Sequence, residues 1–385
     1  MQKIRVCELI TELRLAGAER CVYQLATRLD ADRFEVRVVA FRGGSVAEML
    51  ADAGVAVTVL NMRCKWDLGR LYKLTGVLRR AEPDLVHTHL FHADLAGRVA
   101  ARLAAVPHLL HTVHTAEGRF RPWRYASARL LGDYCDGIVC VSPSVCDYHC
   151  ARSGLPRSQY TVIPNGIDAS AFVRDEQSRS RLRREWGLGD DQPVVVFVGR
   201  LDQAKGIETL LSAMSHLAAR GQALDLVIAG DGSKRHIIEN FIRHGEGGRR
   251  CRLLGFVQDV QAVLSAADIF VMPSRWEGFG LAAVEAMAAS LPVVATRVPG
   301  LRDIIKDGES GLMIDSGDVF GLAERIERLA HDPPLRRRLG QRGRQCVVSK
   351  YSVADMVAAH EDLYARIAAD VPVRRGRRID AGWDE

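Results

Sequence analysis

The chain has 385 residues, 48% of them apolar and 26% charged, and a formal net charge of +6. This length exceeds what one hydrophobic core usually holds, so we expect two domains in a globular protein. No apolar run reaches the roughly 18 residues of a membrane-spanning helix. The first residues, MQKIRVCELI, enter a strand-like run directly and lack a secretory signal, which favours a cytoplasmic protein.

Strand-like and helix-like segments alternate through the first half of the chain. The sequence predicts strands over residues 4–10, 35–40, 56–60, 85–88, 109–113 and 137–141. It predicts helices over residues 19–29, 46–53, 68–80 and 95–104. This alternation is typical of a parallel, doubly wound sheet in an α/β domain.

A polar stretch at 175–191, rich in Arg, Asp and Glu, interrupts this rhythm, and we interpret it as a domain junction with a helical insertion. A second series then predicts strands over residues 194–198, 224–229, 252–254, 269–272, 292–295 and 311–314. We therefore expect two Rossmann-like domains. The predicted units are a first domain at 1–170, a junction at 171–192, a second domain at 193–345, C-terminal helices at 346–370 and a basic tail at 371–385.

Two glutamates flank a glycine-rich turn in the second half. Glu277 precedes Gly278-Phe279-Gly280, where the backbone can approach a ligand closely, and a short alanine-rich helix follows. The free N–H groups at the start of that helix, near Leu281, favour a bound phosphate. Glu285 lies just over one turn into the helix and would reach back toward hydroxyl groups of the ligand. The alternative is that both glutamates are solvated charges beside an ordinary strand–turn–helix connection.

Two cations follow an earlier strand of the same series. Gly199, Arg200 and Lys205 come after the apolar run PVVVFV, in the segment GRLDQAK. An arginine fork and a lysine charge can together neutralise a diphosphate without a metal. Because ligands of open parallel sheets bind at the carboxyl ends of the strands, we expect these residues to gather with the Glu277 turn. Two ordinary surface cations are the other interpretation.

The segment EGFGLAAVE resembles the E-x7-E element of the retaining glycosyltransferases of family four, which have the GT-B fold. Further motifs of the chain agree with that family in the expected order. The resemblance implies two Rossmann-like domains facing a cleft, with a C-terminal helix that returns to the first domain. It also implies that Arg200 and Lys205 bind the diphosphate of a sugar donor.

Other motifs resemble the family more weakly. Gly230, in the turn Gly230-Asp231-Gly232, is similar to a glycine turn near the donor, and Val257 lies where the family lets the nucleobase lie along the backbone. Gly17, in LRLAGAER, is similar to the glycine loop on the acceptor side, although Ala16 stands where a first glycine is frequent. His114, in LLHTVHT, matches a strand-end histidine that lies beside the donor sugar.

Histidines and cysteines are concentrated in two segments. Six histidines lie between residues 87 and 114, and four of the nine cysteines lie between residues 135 and 150. Neither group has the spacing of a common zinc site or an HExxH arrangement, so we expect no metal and no cofactor. The cysteines of a cytosolic chain are expected to be reduced and mostly buried.

The resemblance implies a hexosyltransferase that moves a sugar from a nucleoside diphosphate, with UDP favoured, to a glycan or lipid-linked acceptor in bacterial surface polysaccharide synthesis. In the family the anomeric configuration is retained and the leaving phosphate takes the acceptor proton. Glu277 would then hold sugar hydroxyls, and Glu285 the ribose or the sugar. A nucleotide-sugar 2-epimerase of the same fold and a non-catalytic nucleotide-sugar-binding protein remain alternatives.

Two basic segments bear on possible partners. The run Arg119-Phe120-Arg121-Pro122-Trp123-Arg124-Tyr125 interleaves cations and aromatics, and the tail carries Arg374, Arg375, Arg377 and Arg378. Such clusters can contact anionic lipid head groups or acidic glycans. Contact with lipid would place the protein on the inner face of the cytoplasmic membrane. A solvated loop and a disordered tail are the competing interpretation. No nucleic-acid recognition module accompanies the positive charge.

Overall fold

The computed structural model describes residues 3–62, 68–116, 122–189 and 192–369 of the chain. These residues form two parallel β-sheets, one of seven strands and one of six, in which strands alternate with helices along the chain. The predicted α/β architecture of two Rossmann-like domains is therefore confirmed.

The first sheet has the strand order β3-β2-β1-β4-β5-β6-β7. Its strands are β1 Ile4–Glu12, β2 Phe34–Arg42, β3 Ala56–Val59, β4 Leu85–His89, β5 His108–Val113, β6 Gly137–Cys140 and β7 Tyr160–Val162. Its helices are α1 Gly17–Arg28, α2 Ser45–Asp52, α3 Leu68–Ala81, α4 Phe91–Leu103, α5 Pro122–Leu130 and α6 Pro143–Ser153. The strand β7, only three residues long and mostly half-buried, was absent from the predicted elements because it carries no extended apolar run.

The second sheet has the strand order β10-β9-β8-β11-β12-β13. Its strands are β8 Val194–Val198, β9 Asp225–Ala229, β10 Cys251–Gly255, β11 Ile269–Met272, β12 Val293–Thr296 and β13 Leu312–Ile314. Its helices are α7 Glu176–Glu185, α8 Ile207–Ala219, α9 Arg235–His244, α10 Val260–Ala266, α11 Leu281–Ala288, α12 Leu301–Ile304 and α13 Val319–His331. The last two helices of the chain are α14 Pro333–Lys350 and α15 Val353–Ala369.

The central strands are buried along their whole length, which explains their continuous apolar sequences. Every residue of β5, β8, β9 and β11 is buried. Parallel strands covered on both faces read as apolar runs because neither side of the sheet meets water. The carboxyl ends of these strands, where the apolar runs stop, carry the polar residues discussed below.

Helix α15 returns to the first domain, as the resemblance implied. The chain crosses back where Ile167 pairs with Ser352. Tyr364, fully buried, packs edge-on against Phe34 of β2 with ring centroids 6.1 Å apart. The Glu361 carboxylate accepts a hydrogen bond of 2.8 Å from the backbone N–H of Asp30. The C-terminal helix is thus part of the core of the first domain.

Helix α7, within the predicted junction, packs against α10 of the second domain. The buried guanidinium of Arg183 donates a hydrogen bond of 3.0 Å to the carbonyl of Ala266 and pairs with Asp268. Arg179 reaches the same carboxylate at 3.0 Å.

In the described part of the chain, no helix combines the length and the apolar composition needed to span a membrane.

The packing of α14 gives a test of the fold. A Cβ added to Gly340 would lie 2.0 Å from the Ser290 carbonyl oxygen, which belongs to the backbone and cannot easily move. Gly340→Ala should therefore lower the free energy of unfolding by about 1–3 kcal/mol, although alanine favours a helix. In α3, a Cβ added to Gly76 would have the flexible Arg80 guanidinium as its nearest neighbour, at 3.5 Å. Gly76→Ala should therefore raise the free energy of unfolding by about 0.5–1 kcal/mol, because alanine favours a helix.

Urea unfolding of both variants beside the native chain measures this contrast. A Gly340→Ala protein as stable as Gly76→Ala would contradict the close contact between α14 and the loop before β12.

Candidate functional site

The carboxyl ends of the two sheets meet where the second domain contacts the first. The loop after β11 lies directly against the end of β5, since a Cβ added to Gly278 would lie 1.8 Å from the His114 carbonyl oxygen. Only glycine fits at such an approach. Nearby, the Asp303 carboxylate accepts hydrogen bonds from the backbone N–H and the hydroxyl of Ser144 at 3.0 and 2.6 Å. The two domains therefore meet beside the predicted site.

The turn Gly278-Phe279-Gly280 shapes the start of α11. Gly280 is the N-cap residue at a φ of +89°, a backbone conformation that favours glycine. It has no side chain to accept hydrogen bonds from the first turn, which leaves N–H groups near Leu281 available to a ligand. The buried ring of Phe279 packs edge-on against Tyr351 at 5.4 Å between centroids and anchors the turn.

Lys205 and Glu277, which follow different strands, form an ion pair. The Lys205 ammonium lies 2.6 Å from a Glu277 carboxylate oxygen, and the Ser274 hydroxyl donates to the same oxygen at 3.3 Å. Only 14% of the Lys205 side chain and 15% of the Glu277 side chain are exposed. The structure thus joins the lysine of one predicted motif to the first glutamate of the other.

Arg200 lies at the end of β8 with most of its side chain exposed. Its guanidinium is 3.2 Å from the Asp202 carboxylate and retains solvent access. Behind it, Gly199 and Gly230 have φ values of +157° and +150°, and a Cβ on Gly230 would lie 1.9 Å from the Gly199 carbonyl oxygen. The backbone N–H of Gly230 in turn donates to the Gly255 carbonyl at 2.7 Å. The predicted glycine turns therefore line up at one sheet edge, with Val257 two residues beyond Gly255.

Glu285 is buried in α11 and pairs across the domain boundary with Arg20 of α1. Burial raises the pKa of the Glu285 carboxyl, and the charge of Arg20 acts against this rise. The contact continues at Gly17, where an added Cβ would lie 4.0 Å from Leu281. Arg20 was not predicted, although it stands three residues after Gly17 in the segment LRLAGAER.

Glu19 is another residue near the candidate site that was not predicted, and it is acidic. It is 4% exposed. Burial raises the pKa of its carboxyl to about 7, the Glu12 carboxylate adds to the rise, and Arg200 opposes it. Glu19 therefore holds its proton to a much higher pH than an ordinary glutamate.

His114, which is partly exposed, is held through one ring nitrogen by buried side chains. Its Nε2 lies 2.9 Å from Nδ1 of His89, and Nε2 of His89 lies 2.6 Å from a Glu8 oxygen. Burial lowers the pKa of His89 to about 4 and that of His114 well below its ordinary value. Both rings are accordingly neutral at physiological pH. Neither Glu8 nor His89 was among the predicted site residues.

Glu8, His87 and His89 form the only group of three potential metal ligands within residues 3–62, 68–116, 122–189 and 192–369, with their ligand atoms within 4.8 Å of one another. Each of these atoms already has a hydrogen-bond partner: His87 bonds Tyr364 and Thr112 at 2.6 Å each, and His89 bonds Glu8. The three side chains are wholly buried. The arrangement is that of a saturated hydrogen-bond network.

The aromatic-basic segment falls partly within the structure. Residues 119–121 and the arginines of the tail lie outside the described residues. Trp123, in α5, is 42% exposed, and the Arg124 guanidinium stacks over the Phe91 ring at 4.6 Å from its centroid.

Two protein-family models match the chain. "Glycosyltransferase Family 4" matches residues 15–171, and "Glycosyl transferases group 1" matches residues 178–346. EpsD of Bacillus subtilis (strain 168), which is named as a glycosyltransferase, is 31% identical over 305 residues, covering 76% of this chain and 79% of EpsD. The chain belongs to glycosyltransferase family 4. It is a hexosyltransferase by family, and the predicted GT-B fold is confirmed.

Other known proteins are similar to this glycosyltransferase over nearly its whole length. The UDP-Gal:alpha-D-GlcNAc-diphosphoundecaprenol alpha-1,3-galactosyltransferase of Escherichia coli is 26% identical over 377 residues, covering 94% of this chain and 97% of that enzyme. The crystal structure of Anabaena HepE in complex with UDP-glucose superposes with a TM-score of 0.85 at 21% identity, covering 94% of this chain and 100% of HepE.

The raised pKa of Glu19 predicts a pH-dependent stability of the glycosyltransferase. The folded state binds more protons than the unfolded state between the ordinary pKa of 4.5 and the raised value of about 7. The stability contributed by protonated Glu19 is therefore present below about pH 4.5 and is lost as the pH rises through about 7. Glu19→Gln stays neutral, so its stability advantage over the native chain should grow with pH and reach roughly 2 kcal/mol.

Thermal unfolding of the native chain and Glu19→Gln from about pH 5 to about pH 8 tests this, with the exposed Glu48→Gln of α2 as the control. A difference between native and Glu19→Gln that does not change with pH would show that the Glu19 carboxyl titrates normally.

Proposed function

We propose that this glycosyltransferase moves a hexose from a UDP-sugar to a glycan or lipid-linked acceptor with retention of the anomeric configuration. The observation that carries the proposal is the Lys205–Glu277 ion pair, largely buried at 2.6 Å beside the glycine-capped start of α11. It puts a cation for the leaving diphosphate next to a carboxylate for the sugar. In this proposal the second domain binds the donor and the first domain the acceptor.

The charge requirements of the reaction explain this arrangement. Cleavage of a sugar–phosphate bond builds positive charge at the anomeric carbon and negative charge on the diphosphate, so fixed cations must face the phosphates in a water-poor pocket. Lys205, the exposed guanidinium of Arg200 and the N–H groups near Leu281 supply positive charge there. These groups neutralise a diphosphate without requiring a metal ion. Glu277 would accept hydrogen bonds from sugar hydroxyls.

Retention follows if the acceptor attacks on the face from which the diphosphate leaves. The bond between the anomeric carbon and the phosphate oxygen breaks with both electrons going to the diphosphate, and the acceptor oxygen forms the new bond on the same face. The departing phosphate oxygen takes the acceptor proton, so no separate base is required. His114 would lie beside the sugar and Glu285, paired with Arg20, beside the ribose.

The names of similar proteins support the choice of donor and acceptor. The Escherichia coli relative is named for a UDP-galactose donor and a diphosphoundecaprenol-linked acceptor, and HepE was solved with UDP-glucose. A uridine diphosphate is therefore the proposed leaving group, and bacterial surface polysaccharide synthesis on the inner face of the cytoplasmic membrane is the proposed setting. The basic aromatic surface around Trp123 and Arg124 would contact the membrane there.

Substitutions at the ion pair test the donor site. Lys205→Ala removes a cation from the diphosphate, and Glu277→Ala removes a contact to the sugar, so each should lower kcat/KM by roughly 100-fold or more. Turnover of UDP-, GDP- and ADP-sugars is measured as release of the nucleoside diphosphate with EDTA present, together with thermal stabilisation by each donor. We expect stabilisation by a UDP-sugar and metal-independent release of UDP.

The matched controls are Lys306→Ala and Glu309→Ala, a solvent-exposed pair whose charges are 4.0 Å apart. These two substitutions should leave both the release of the nucleoside diphosphate and the thermal stabilisation by the donor unchanged. Failure of every nucleotide sugar to bind would refute the proposal, and conversion of a donor to its epimer without an acceptor would favour an epimerase of the same fold.

The stereochemistry gives a separate test. Once an acceptor is found, the new glycosidic bond should have the anomeric configuration that the sugar had in the donor, because attack and departure share one face. The coupling constant of the anomeric proton in the NMR spectrum of the product reports it. An inverted product would contradict same-face attack while leaving the donor site intact.

A further inference from the structure

A buried chain of hydrogen bonds connects His114 with the C-terminal helix. It runs from His114 Nε2 to His89 Nδ1 at 2.9 Å and from His89 Nε2 to Glu8 Oε2 at 2.6 Å. The hydroxyl of Tyr364, in α15, donates to the other Glu8 oxygen at 2.9 Å. His87 Nδ1 contacts the same hydroxyl at 2.6 Å. Glu8, His87 and His89 are all 0% exposed.

The surroundings of Glu8 set the direction of every hydrogen bond in this chain. The Tyr364 O–H donates to Glu8. The Tyr364 oxygen is therefore left to accept from Nδ1–H of His87, and Nε2 of the neutral His87 ring accepts from the Thr112 hydroxyl. A Glu8 carboxylate that accepts from Tyr364 accepts from His89 Nε2–H as well, since an ionised carboxylate has no proton to donate.

The charge states of the groups agree with this assignment. Burial alone would raise the pKa of Glu8, but the charges and hydrogen bonds of His87 and His89 lower it below its ordinary value. Burial lowers the pKa of His89 to about 4, so its ring is neutral and carries a single proton. With that proton on Nε2, His89 Nδ1 can only accept, and it accepts from His114 Nε2–H.

We propose that Glu8 and His89 are positioning residues that hold His114 in its Nε2–H tautomer, so that His114 Nδ1 accepts a hydrogen bond from a hydroxyl of the donor sugar. Nδ1 is the ring nitrogen that remains for a ligand, and His114 is partly exposed next to Gly278 of the donor loop. The sugar contact rests on the proposed function. The tautomer does not, because it depends on the protein alone.

The contact with His114 Nδ1 makes the enzyme selective for donor sugars that carry a hydroxyl at one position. A sugar hydroxyl can donate a hydrogen bond to the unprotonated Nδ1 of His114. A hydrogen or fluorine in place of that hydroxyl cannot donate, and Nδ1 would then lie in the complex without a hydrogen-bond partner. A series of donors that lack one hydroxyl each should therefore contain one member whose kcat/KM is lowered by at least 10-fold in the native chain. The same member should lose much less in a His114→Ala variant.

Glu8→Gln tests the assignment with almost no change in shape. When the amide oxygen of Gln accepts from the Tyr364 O–H, as a Glu8 oxygen does, its amide nitrogen donates to His89 Nε2. The chain then reverses: His89 Nδ1–H donates to His114 Nε2, and the proton of His114 moves to Nδ1. Loss of the hydrogen-bond partner of a metal-bound histidine typically costs roughly 10–100-fold in activity, and we expect kcat/KM for the donor to fall by a similar factor. Tyr364→Phe removes the other bond to Glu8 at nearly equal size and should leave the His114 tautomer unchanged.

The 15N NMR shifts of the histidine rings, assigned with a His114→Asn variant, report the tautomers without any substrate. Nε2–H in the native chain and Nδ1–H in Glu8→Gln, with the fall in kcat/KM, support the proposal. A native His114 that carries its proton on Nδ1, or on both nitrogens, would overturn it even if Glu8→Gln fails to fold. An unchanged kcat/KM after a reversed tautomer would also overturn it.

The two proposals can fail separately. A native chain that transfers no sugar from any nucleotide would refute the proposed function and the sugar contact with it, even where the tautomers are as stated. Normal transfer together with an Nδ1–H tautomer would refute only the positioning role of Glu8 and His89.

Discussion

The arrangement of the site depends on the close approach of Gly278 to the His114 carbonyl. A Cβ at Gly278 would lie 1.8 Å from that oxygen, so any side chain would push the donor loop away from the first domain. The approach puts the start of α11 within reach of α1, where Arg20 pairs with the buried Glu285. Residues contributed by the two sheets can approach each other here because the residue at this backbone contact has no side chain.

The C-terminal helix gives the first domain a second link to the rest of the chain. The helix α15 follows the second domain in sequence, yet Tyr364 is buried in the first domain and donates to Glu8. Because Glu8 also accepts from His89, which holds His114, the return of the helix completes the hydrogen bonds behind the cleft. Helix α15, which returns to the first domain, therefore also supports His114 through Glu8 and His89.

The charged residues near the contact between the domains form two ion pairs. Lys205 and Glu277 are both largely buried, whereas in the second pair Glu285 is buried and the Arg20 side chain is 30% exposed. Arg200 remains largely exposed. In the proposed binding mode, a nucleoside diphosphate meets positive charge at Arg200 and Lys205 and at the N–H groups of α11.

Local patterns made the fold and the glycine turns of the candidate site predictable from sequence. The strand runs, such as residues 194–198, are continuous because buried parallel strands meet no water, and the turns around Gly230 and Gly280 carry glycines because their φ values are positive. The spacing of Glu277 and Glu285 is a local signal as well.

Contacts between distant parts of the chain could not be predicted in this way. Arg20 and Glu285 are 265 positions apart, and Glu8 and Tyr364 are 356 apart. Nothing in the sequence around Glu8, an acid within a mostly apolar strand, indicates that it accepts from two side chains in the interior. The aromatic-basic run and the tail were identified from composition, and residues 119–121 and 371–385 lie outside the described structure.

The central claim is that a nucleoside diphosphate binds at the carboxyl edge of the second sheet, with its phosphates at Arg200, Lys205 and the start of α11. A crystal structure of the chain with UDP tests it most directly. The account predicts that the terminal phosphate lies within hydrogen-bond distance of the Lys205 ammonium and of an N–H group near Leu281, with the base beside Val257. UDP bound in the first domain, or a diphosphate that contacts neither cation, would contradict it.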